Sequence, residues 1–143
     1  MFIDARERDE QGLVMGHGTT ILKPRVLIVE DELLQARLVA TMLEHWNLEV
    51  IGIASDGAKA LALVEAIMPD LLLLDIGLPE VDGIQVAKDI LGKRSLPIVV
   101  ITGQTSARRR EELTSIGVSQ CVIKPFTGDE LRAALRNACR GRL

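Results

Sequence analysis

From Arg25 onward, short apolar runs alternate with longer segments whose apolar residues recur at helical spacing. The alternation repeats five times and predicts five βα units, the pattern typical of a parallel sheet. Because crossovers between parallel strands are right-handed, the helices are expected on both faces of the sheet. The expected fold class is therefore α/β, an open three-layer sandwich. The predicted strands cover residues 25–29, 48–54, 71–74, 98–101 and 118–123.

The segments between these runs predict five helices with recognisable ends. Pro69 is expected to end the second helix and Gly117 to cap the C-terminus of the fourth, while Thr127 begins the fifth with a capping box. The helices leave the strand order open, but the flavodoxin-like order 2-1-3-4-5 is a common solution and is the one we expect. In the first helix, residues 31–46, the face predicted to be buried contains Leu34, Leu38, Met42 and Leu43.

Residues 1–23 differ in composition from the rest of the chain. They are rich in charged residues and glycine and have no sustained apolar period, so we expect a flexible N-terminal extension. Met15 within this segment is an alternative start site. Residues 24–143 form the expected single domain, and their number suits one hydrophobic core.

The composition argues against several functions. The 143 residues have a net charge of −3 and only 2% aromatic residues, which disfavours direct nucleic-acid binding by phosphate contacts or base stacking. The sequence contains neither the run of about 18 apolar residues that a membrane span needs nor a secretory signal. Cys121 and Cys139 lack metal-type spacing and are interpreted as structural thiols. We therefore expect a cytoplasmic protein without membrane insertion.

Polar residues follow four of the predicted strands. Glu30 and Asp31 come after the first strand, and Asp75 comes after the leucine run of residues 71–74. Thr102 follows the fourth strand, and Lys124 follows the fifth. Because parallel strands present their carboxyl ends at one edge of the sheet, we expect these five side chains to meet there.

Three carboxylates at one edge would repel one another, by on the order of 4 kcal/mol for a pair ~4 Å apart at an effective dielectric constant of ~20. Mg²⁺ suits such oxygen ligands, and a metal bound there would draw a phosphate to Asp75. That carboxylate could then act as a nucleophile and form an aspartyl phosphate. Lys124 would offer a positive charge to a phosphoryl oxygen, and Thr102 a hydroxyl donor.

Each of these residues taken alone has an ordinary structural explanation. An acidic pair after a strand commonly caps the next helix, and a lysine or threonine at a strand end is commonly a loop residue. Their joint occurrence at the ends of four strands is what favours a functional site.

The chain resembles the receiver domains of bacterial two-component response regulators, in particular single-domain, chemotaxis-regulator-like members. The matching motifs are Val29-Glu30-Asp31, Asp75-Ile76-Gly77-Leu78-Pro79 with Asp82-Gly83, Ile101-Thr102 and Lys124-Pro125-Phe126. The resemblance implies that Asp75 accepts a phosphoryl group from a histidine kinase or phosphotransfer protein. The resemblance also implies self-catalysed, Mg²⁺-dependent phosphorylation and dephosphorylation of a signalling domain rather than enzymatic turnover. Asp31, Asp75 and the backbone carbonyl of Gly77 would bind Mg²⁺ directly, and Glu30 would act through water.

The same resemblance implies a cis peptide bond between Lys124 and Pro125. Cys121 stands where many receivers have an aromatic switch partner for the threonine, so a threonine-to-aromatic relay in its usual form is not expected. Gly77 and Gln104 occupy positions that in the family influence how long the phosphoryl group survives.

Only residues 141–143 follow the last predicted helix, so output is expected to pass through an unidentified downstream protein. Members of the family commonly use the surface formed by the fourth helix, fifth strand and fifth helix. Two interpretations of this surface stay open: a solvated face, or a contact with an acidic partner or a second copy of the chain. It is expected to contain Arg108, Arg109, Arg110, Arg132, Arg136 and Arg140.

Two other functions fit parts of the pattern. An aspartyl-nucleophile phosphatase also places a carboxylate at a strand end, but such enzymes usually have a second acid two residues later, where this chain has Gly77. A pseudo-receiver scaffold would have lost phosphorylation, which the complete set of acids, threonine and lysine disfavours.

Overall fold

The computed structural model describes residues 23–77, 82–103 and 107–139. The predicted extension lies outside these ranges apart from Lys23, and so do residues 78–81, Gln104 and Arg140. Within the described ranges, five strands alternate with five helices. The strands are β1 (Arg25–Val29), β2 (Glu49–Ala54), β3 (Leu71–Asp75), β4 (Ile98–Thr102) and β5 (Gln120–Ile123). The helices are α1 (Leu33–His45), α2 (Gly57–Ile67), α3 (Gly83–Lys93), α4 (Ala107–Ser115) and α5 (Gly128–Ala138).

The strands form one parallel sheet in the order β2-β1-β3-β4-β5. This confirms the flavodoxin-like order expected from the sequence. The chain leaves β1 for one edge of the sheet and returns to place β3 on the other side of β1. The point where the order reverses lies between β1 and β3, which is where open α/β sheets leave a crevice at their carboxyl edge.

The central strand β3 is buried on both faces. Leu71 and Leu73 pack into a core layer with residues of α1 and α5, whereas Leu72 and Leu74 pack into a second layer with α2 and α3. Because each face is covered by helices, both sets of alternating side chains must be apolar, which explains the uninterrupted leucine run. The three-layer sandwich is therefore confirmed. None of the helices in the described ranges is long and apolar enough to cross a membrane.

The expected signals at two helix ends are confirmed. Thr127 Oγ1 accepts a hydrogen bond from the N–H of Glu130, and the Glu130 carboxylate accepts one from the N–H of Thr127. Gly117 has a φ of +100°, the left-handed conformation that favours glycine after a helix. The N–H of Val118 then donates to a carbonyl in α4 at 3.1 Å. Because Val118 takes part in this closure of α4, β5 begins later than the predicted residue 118.

The buried face of α1 differs from the predicted one. Leu43 is buried and Met42 is partly buried, as expected, but the exposed fractions of Leu34 and Leu38 are 74% and 61%. Ala36 is fully buried instead. Apolar residues at positions 36, 39, 40 and 43 form a second helical stripe, and the small alanine side chain within it lets the helix lie close to the sheet.

The arginines predicted to share one surface are separated in the fold. The Arg132 guanidinium lies over the Trp46 ring, 5.7 Å from its centroid, where α5 meets the end of α1. Arg109 turns towards the carboxyl edge of the sheet. Among the described arginines expected there, only Arg109 is partly buried, whereas the others are exposed: Arg108, Arg110, Arg132 and Arg136.

Candidate functional site

The strand register brings the predicted site residues together at the carboxyl edge. The pairing of β1 with β3 places Glu30 level with Asp75. The pairings of β3 with β4 and of β4 with β5 place Thr102 and Lys124 one residue further along each successive strand. Together with Asp31, all of these residues line one cleft.

Both carboxylate oxygens of Asp75 have hydrogen-bond donors. Lys124 Nζ lies 2.9 Å from Oδ2, and the backbone N–H of Gly77 donates to Oδ1 at 2.8 Å. The residue is buried, with 8% of its surface exposed. These contacts hold the carboxylate in one orientation at the floor of the cleft.

Glu30 is buried beside Asp75 and is strongly perturbed. The pKa of its carboxyl is raised from 4.5 to about 7, mainly by burial and also by the charge and hydrogen bonding of Asp75, against the opposing effects of the Glu32 N–H and Lys124. The hydrogen bond from the N–H of Glu32 to Oε2 is 3.2 Å long. The carboxyl therefore keeps its proton to a higher pH than an ordinary glutamate does, and a cation beside it would favour the ionised form.

The three acids fit a divalent cation. Oxygen atoms of Glu30, Asp31 and Asp75 lie within 4.8 Å of one another. Asp31 is exposed while the other two are buried, so the cluster has a side open to solvent, as suits a Mg²⁺ ion that keeps several waters. Burial is the main cause of the raised pKa of Glu30, and the adjacent charge of Asp75 adds to it, so a cation here would relieve repulsion between these two carboxylates. Gly77 lines the same cleft, and direct ligation by its carbonyl stays a prediction.

Lys124 reaches the site from the end of β5. Its N–H donates to the carbonyl of Thr102 at 2.8 Å, and the expected cis bond to Pro125 is confirmed. Burial acts to lower the pKa of the lysine, but the hydrogen bond to Asp75 and the nearby carboxylate charges outweigh it, so the pKa lies above 10.5. The side chain is consequently a cation at any physiological pH.

The cleft has room for a phosphoryl group. Its volume is about 380 Å³. Thr102 lies in its wall with 3% of its surface exposed. The lining residues are Glu30, Asp31, Glu32, Gln35, Asp75, Ile76, Gly77, Thr102, Gly103, Arg109 and Lys124. A small anion in this cleft would find cationic residues, a threonine and the acidic cluster in its lining.

Sequence reasoning did not assign Arg109 to the site. It lines the same cleft, and its Nη2 lies 3.5 Å from Oδ1 of Asp82, the N-cap residue of α3. Because residues 108–110 are all arginines, the sequence alone does not show which of them faces the cleft. When α4 begins beside the carboxyl edge, three consecutive side chains point in different directions around the helix, and Arg109 is the one that faces the cleft.

Cys121 is a packing residue. Its side chain is partly buried against the core layer that faces α2 and α3. Burial raises the pKa of its thiol above 9.0, against the opposing charge of Arg110, which disfavours the reactive thiolate. Cys139 is buried in the opposite layer. These positions agree with the interpretation of both cysteines as structural thiols.

The fold and the site together define a class of protein: a doubly wound α/β domain with an acidic pocket and a lysine at the carboxyl edge of its sheet. A family model described as the response regulator receiver domain matches residues 26–136. The chain belongs to this family, whose members act in two-component systems.

Sequence relatives agree with this assignment. The transcriptional regulatory protein PdtaR of Mycobacterium tuberculosis is 39% identical over 114 residues, which are 80% of this chain and 56% of that protein. A probable transcriptional regulator of Cyanophora paradoxa, ycf27, is 32% identical over 84% of this chain and 50% of its own length. The chain thus spans about half the length of these curated relatives.

Two solved structures share the fold over almost their whole length. The receiver domain of the putative response regulator NarL from Mycobacterium tuberculosis has a TM-score of 0.77 and 30% identity, covering 84% of this chain and 98% of that one. The chemotaxis protein CheY4 of Vibrio cholerae has a TM-score of 0.76 and 26% identity, covering 82% and 99%. Receiver domains bind Mg²⁺ at an acidic pocket and interact with kinases or phosphotransfer proteins, in agreement with the acidic cluster found here.

Proposed function

We propose that the chain is a phosphoacceptor in a two-component pathway, in which Asp75 accepts a phosphoryl group from a histidine kinase or a phosphotransfer protein. The strongest support is the environment of Asp75. Its carboxylate is oriented by Lys124 and by the Gly77 N–H, and two further acids lie beside it. Such a carboxylate, at the floor of a polar cleft, is positioned to act as a nucleophile.

In the proposed transfer, an oxygen of Asp75 forms a bond to phosphorus while the bond from phosphorus to the donor's imidazole nitrogen breaks. The nitrogen keeps the electron pair, and the imidazole leaves as a neutral ring because its other nitrogen is protonated. Mg²⁺ would supply positive charge for the phosphoryl oxygens. It would be held by Asp31, Asp75 and the Gly77 carbonyl, and by Glu30 through water.

Lys124 and Thr102 would hold the transferred group. The lysine already contacts the acceptor carboxylate at 2.9 Å, so a small rotation would bring Nζ to a phosphoryl oxygen on that carboxylate. The Thr102 hydroxyl lies on the same cleft and can donate to another oxygen. Because Gly103 follows Thr102 directly, movement of this residue would pull on the chain leading into α4.

We further propose that the phosphodonor protein docks on the start of α1. Leu33, Leu34 and Leu38 are 58%, 74% and 61% exposed, and the first two lie between Glu32 and Gln35, which line the cleft. Leu34 and Leu38 are one helical turn apart and so are neighbours on the helix surface, and adjacent exposed leucines are typical of a protein contact. A helical donor seated there would bring its phosphorylated histidine to the cleft.

The phosphorylated form is proposed to act through a conformational shift read by another protein, without direct contact to nucleic acid. The surface of α4, β5 and α5 is the candidate contact, including for a homodimer. Phosphorylation adds roughly −1.5 to −2 charges, enough to shift the population between two arrangements of this surface. A cytoplasmic location is part of the same proposal, because the chain must share a compartment with the phosphorylated histidine of its donor for that histidine to reach Asp75.

A labelling experiment tests the central proposal. The wild-type chain is incubated with acetyl phosphate and Mg²⁺, and the bound phosphoryl group is measured by intact mass spectrometry, with an established receiver domain as positive control. We expect the wild type to be labelled and Asp75→Asn to stay unlabelled. If the wild type stays unlabelled while the control labels, the proposal is wrong and a pseudo-receiver scaffold becomes the better assignment.

The same samples discriminate against a phosphatase. A phosphatase of the aspartyl-nucleophile type would release many phosphates per chain from a simple phosphomonoester, and would lose this turnover in Asp75→Asn. We expect no such turnover, because Gly77 occupies the position where these enzymes have their second acid.

A further inference from the structure

Arg109 is the cation through which α4 reaches the Asp75 cleft. It lines that cleft together with Asp75 and Lys124, and 34% of its side chain is exposed. Its neighbours Arg108 and Arg110 are exposed instead. The orientation of Arg109 is therefore specific to its position on the helix and is not a general property of this basic segment.

The contact that Arg109 makes with Asp82 is suited to exchange. The distance from Nη2 to Oδ1 is 3.5 Å, longer than a good charge-assisted hydrogen bond, and the Asp82 side chain is 56% exposed. Water and salt reach this pair from the exposed Asp82 side and weaken it. Oδ1 also accepts the N–H of Ile84 at 3.0 Å, so the carboxylate still has a structural role as the N-cap of α3 if the arginine leaves.

A phosphoryl group on Asp75 would compete for the guanidinium. It would add about −1.5 to −2 charges to a cleft where Lys124 is already engaged with Asp75. The planar guanidinium of arginine binds phosphate oxygens with two parallel hydrogen bonds, a geometry that an ammonium group does not offer. The phosphoryl group is therefore the stronger partner of the two.

We propose that Arg109 exchanges Asp82 for the phosphoryl group on Asp75, so that α4 responds to phosphorylation by direct contact. This inference rests on the proposed function and adds a second positive contact to the phosphoryl oxygens besides Lys124. It also gives the signal a route to α4 that does not require an aromatic residue at position 121, where this chain has a cysteine.

Four variants test the exchange, with beryllofluoride and Mg²⁺ as the probe because beryllofluoride mimics a phosphoryl group on a carboxylate. Arg109→Ala should bind the probe roughly tenfold more weakly, the amount expected for loss of a charge-assisted hydrogen bond. Arg109→Lys keeps the charge but not the paired donors and should lie between Arg109→Ala and the wild type. Arg108→Ala, an exposed neighbour, should behave as the wild type.

Asp82→Asn distinguishes an exchange of partners by Arg109 from a purely structural role of the Arg109–Asp82 contact. Asparagine keeps a side-chain oxygen for the cap of α3 but removes the negative charge that Asp82 offers to the guanidinium. If Arg109 exchanges partners, this variant should bind the probe as well as the wild type or more tightly. The amide resonances of α4 should shift on probe binding in the wild type and in Asp82→Asn, but much less in Arg109→Ala.

The outcomes are decisive in both directions. Equal affinities for Arg109→Ala and Arg108→Ala would overturn the inference, and so would a loss in Asp82→Asn as large as that in Arg109→Ala. Urea unfolding of each variant shows whether Arg109→Ala has lost stability, in which case Arg109→Lys provides the comparison. Failure of the wild type to be labelled on Asp75 would instead overturn the proposed function, and this inference with it.

Discussion

Lys124 Nζ lies 2.9 Å from Oδ2 of Asp75, although 49 positions separate the two residues in the chain. The contact exists because β3, β4 and β5 are parallel neighbours with successive one-residue offsets. It pairs the proposed phosphoacceptor carboxylate with an ammonium group of opposite charge. The acceptor thus has its neutralising partner in place before any phosphoryl group arrives.

Removal of this ammonium group should impair transfer but not metal binding. In Lys124→Ala, labelling of Asp75 by acetyl phosphate should slow by roughly 100-fold, the usual effect of removing one group that stabilises developing charge. Mg²⁺ affinity, measured by calorimetry, should stay the same or increase, because a positive charge has been removed from beside the acidic cluster. Lys124→Arg should recover part of the rate. A wild-type labelling rate in Lys124→Ala would contradict the proposed role.

The pKa of Glu30 predicts how stability depends on pH. The folded chain holds the Glu30 proton up to about pH 7, whereas the unfolded chain releases it near 4.5. Between these values the folded state binds more protons, so this group's stabilising contribution is complete below about 4.5 and is lost as the pH rises through 7. Without metal, we expect Glu30→Gln to be more stable than the wild type at pH 8 by on the order of 2 kcal/mol.

Urea unfolding in EDTA at several pH values between 5 and 8 measures this difference. Excess Mg²⁺ should stabilise the wild type more at pH 8 than at pH 6, because only the ionised carboxyl favours the cation. Glu44→Gln, an exposed position on α1, is the matched control and should leave the pH dependence unchanged. A wild-type pH dependence in Glu30→Gln would show that another group titrates in this window.

The sheet and the site could be predicted because each strand and each site residue is recognisable from a short stretch of sequence, and the fold then brings the strand ends together. Asp75 and Thr102 end strands, Glu30 and Lys124 directly follow strands, and the carboxyl ends of parallel strands lie at one edge of the sheet. The buried face of α1 could not be predicted in the same way. Leu34 belongs to a stripe with helical spacing, and the stripe that includes Ala36 has the same spacing, so periodicity alone does not select between them.

The remaining features depend on tertiary structure. Whether Arg109 or a neighbouring arginine faces the cleft depends on where the axis of α4 crosses the sheet edge. The pKa of Glu30 depends on how much water the folded chain excludes. Gly83 was part of a recognised motif, but the reason for its presence is a close approach of two backbone segments that no local pattern reveals.

Gly83 should be intolerant of any side chain. A Cβ atom there would overlap Cα of Ile76 and lie 2.8 Å from the Ile76 carbonyl oxygen. The backbone that leads to Gly77 would have to shift, together with the N–H that orients Asp75. We expect Gly83→Ala to lose about 1–3 kcal/mol of unfolding free energy, despite the gain of about 1 kcal/mol from helix propensity. It should also bind Mg²⁺ more weakly.

Gly92 provides the control on the same helix. A Cβ atom at this position would meet nothing within 4 Å, so Gly92→Ala should be stabilised by about 0.5–1 kcal/mol. Urea unfolding of the two variants compares them directly. Equal stability of both would show that the approach of α3 to Ile76 can relax without cost.

The exposed leucines of α1 should matter for a protein donor and not for a small one. In Leu34→Ser with Leu38→Ser, phosphotransfer from a histidine kinase that phosphorylates the wild type should slow at least tenfold, since burial of two leucines in a contact is worth several kcal/mol. Labelling by acetyl phosphate should be unchanged, because neither side chain lines the cleft. The rates are measured by transfer of radiolabelled phosphate from the kinase.

Met68→Asn is the control. Met68 is equally apolar and 58% exposed, but it follows α2 at the opposite edge of the sheet. Asparagine tolerates the left-handed backbone of this position. Slower labelling by both donors would indicate damage to the site itself, and an unchanged rate with the kinase would place the donor contact elsewhere.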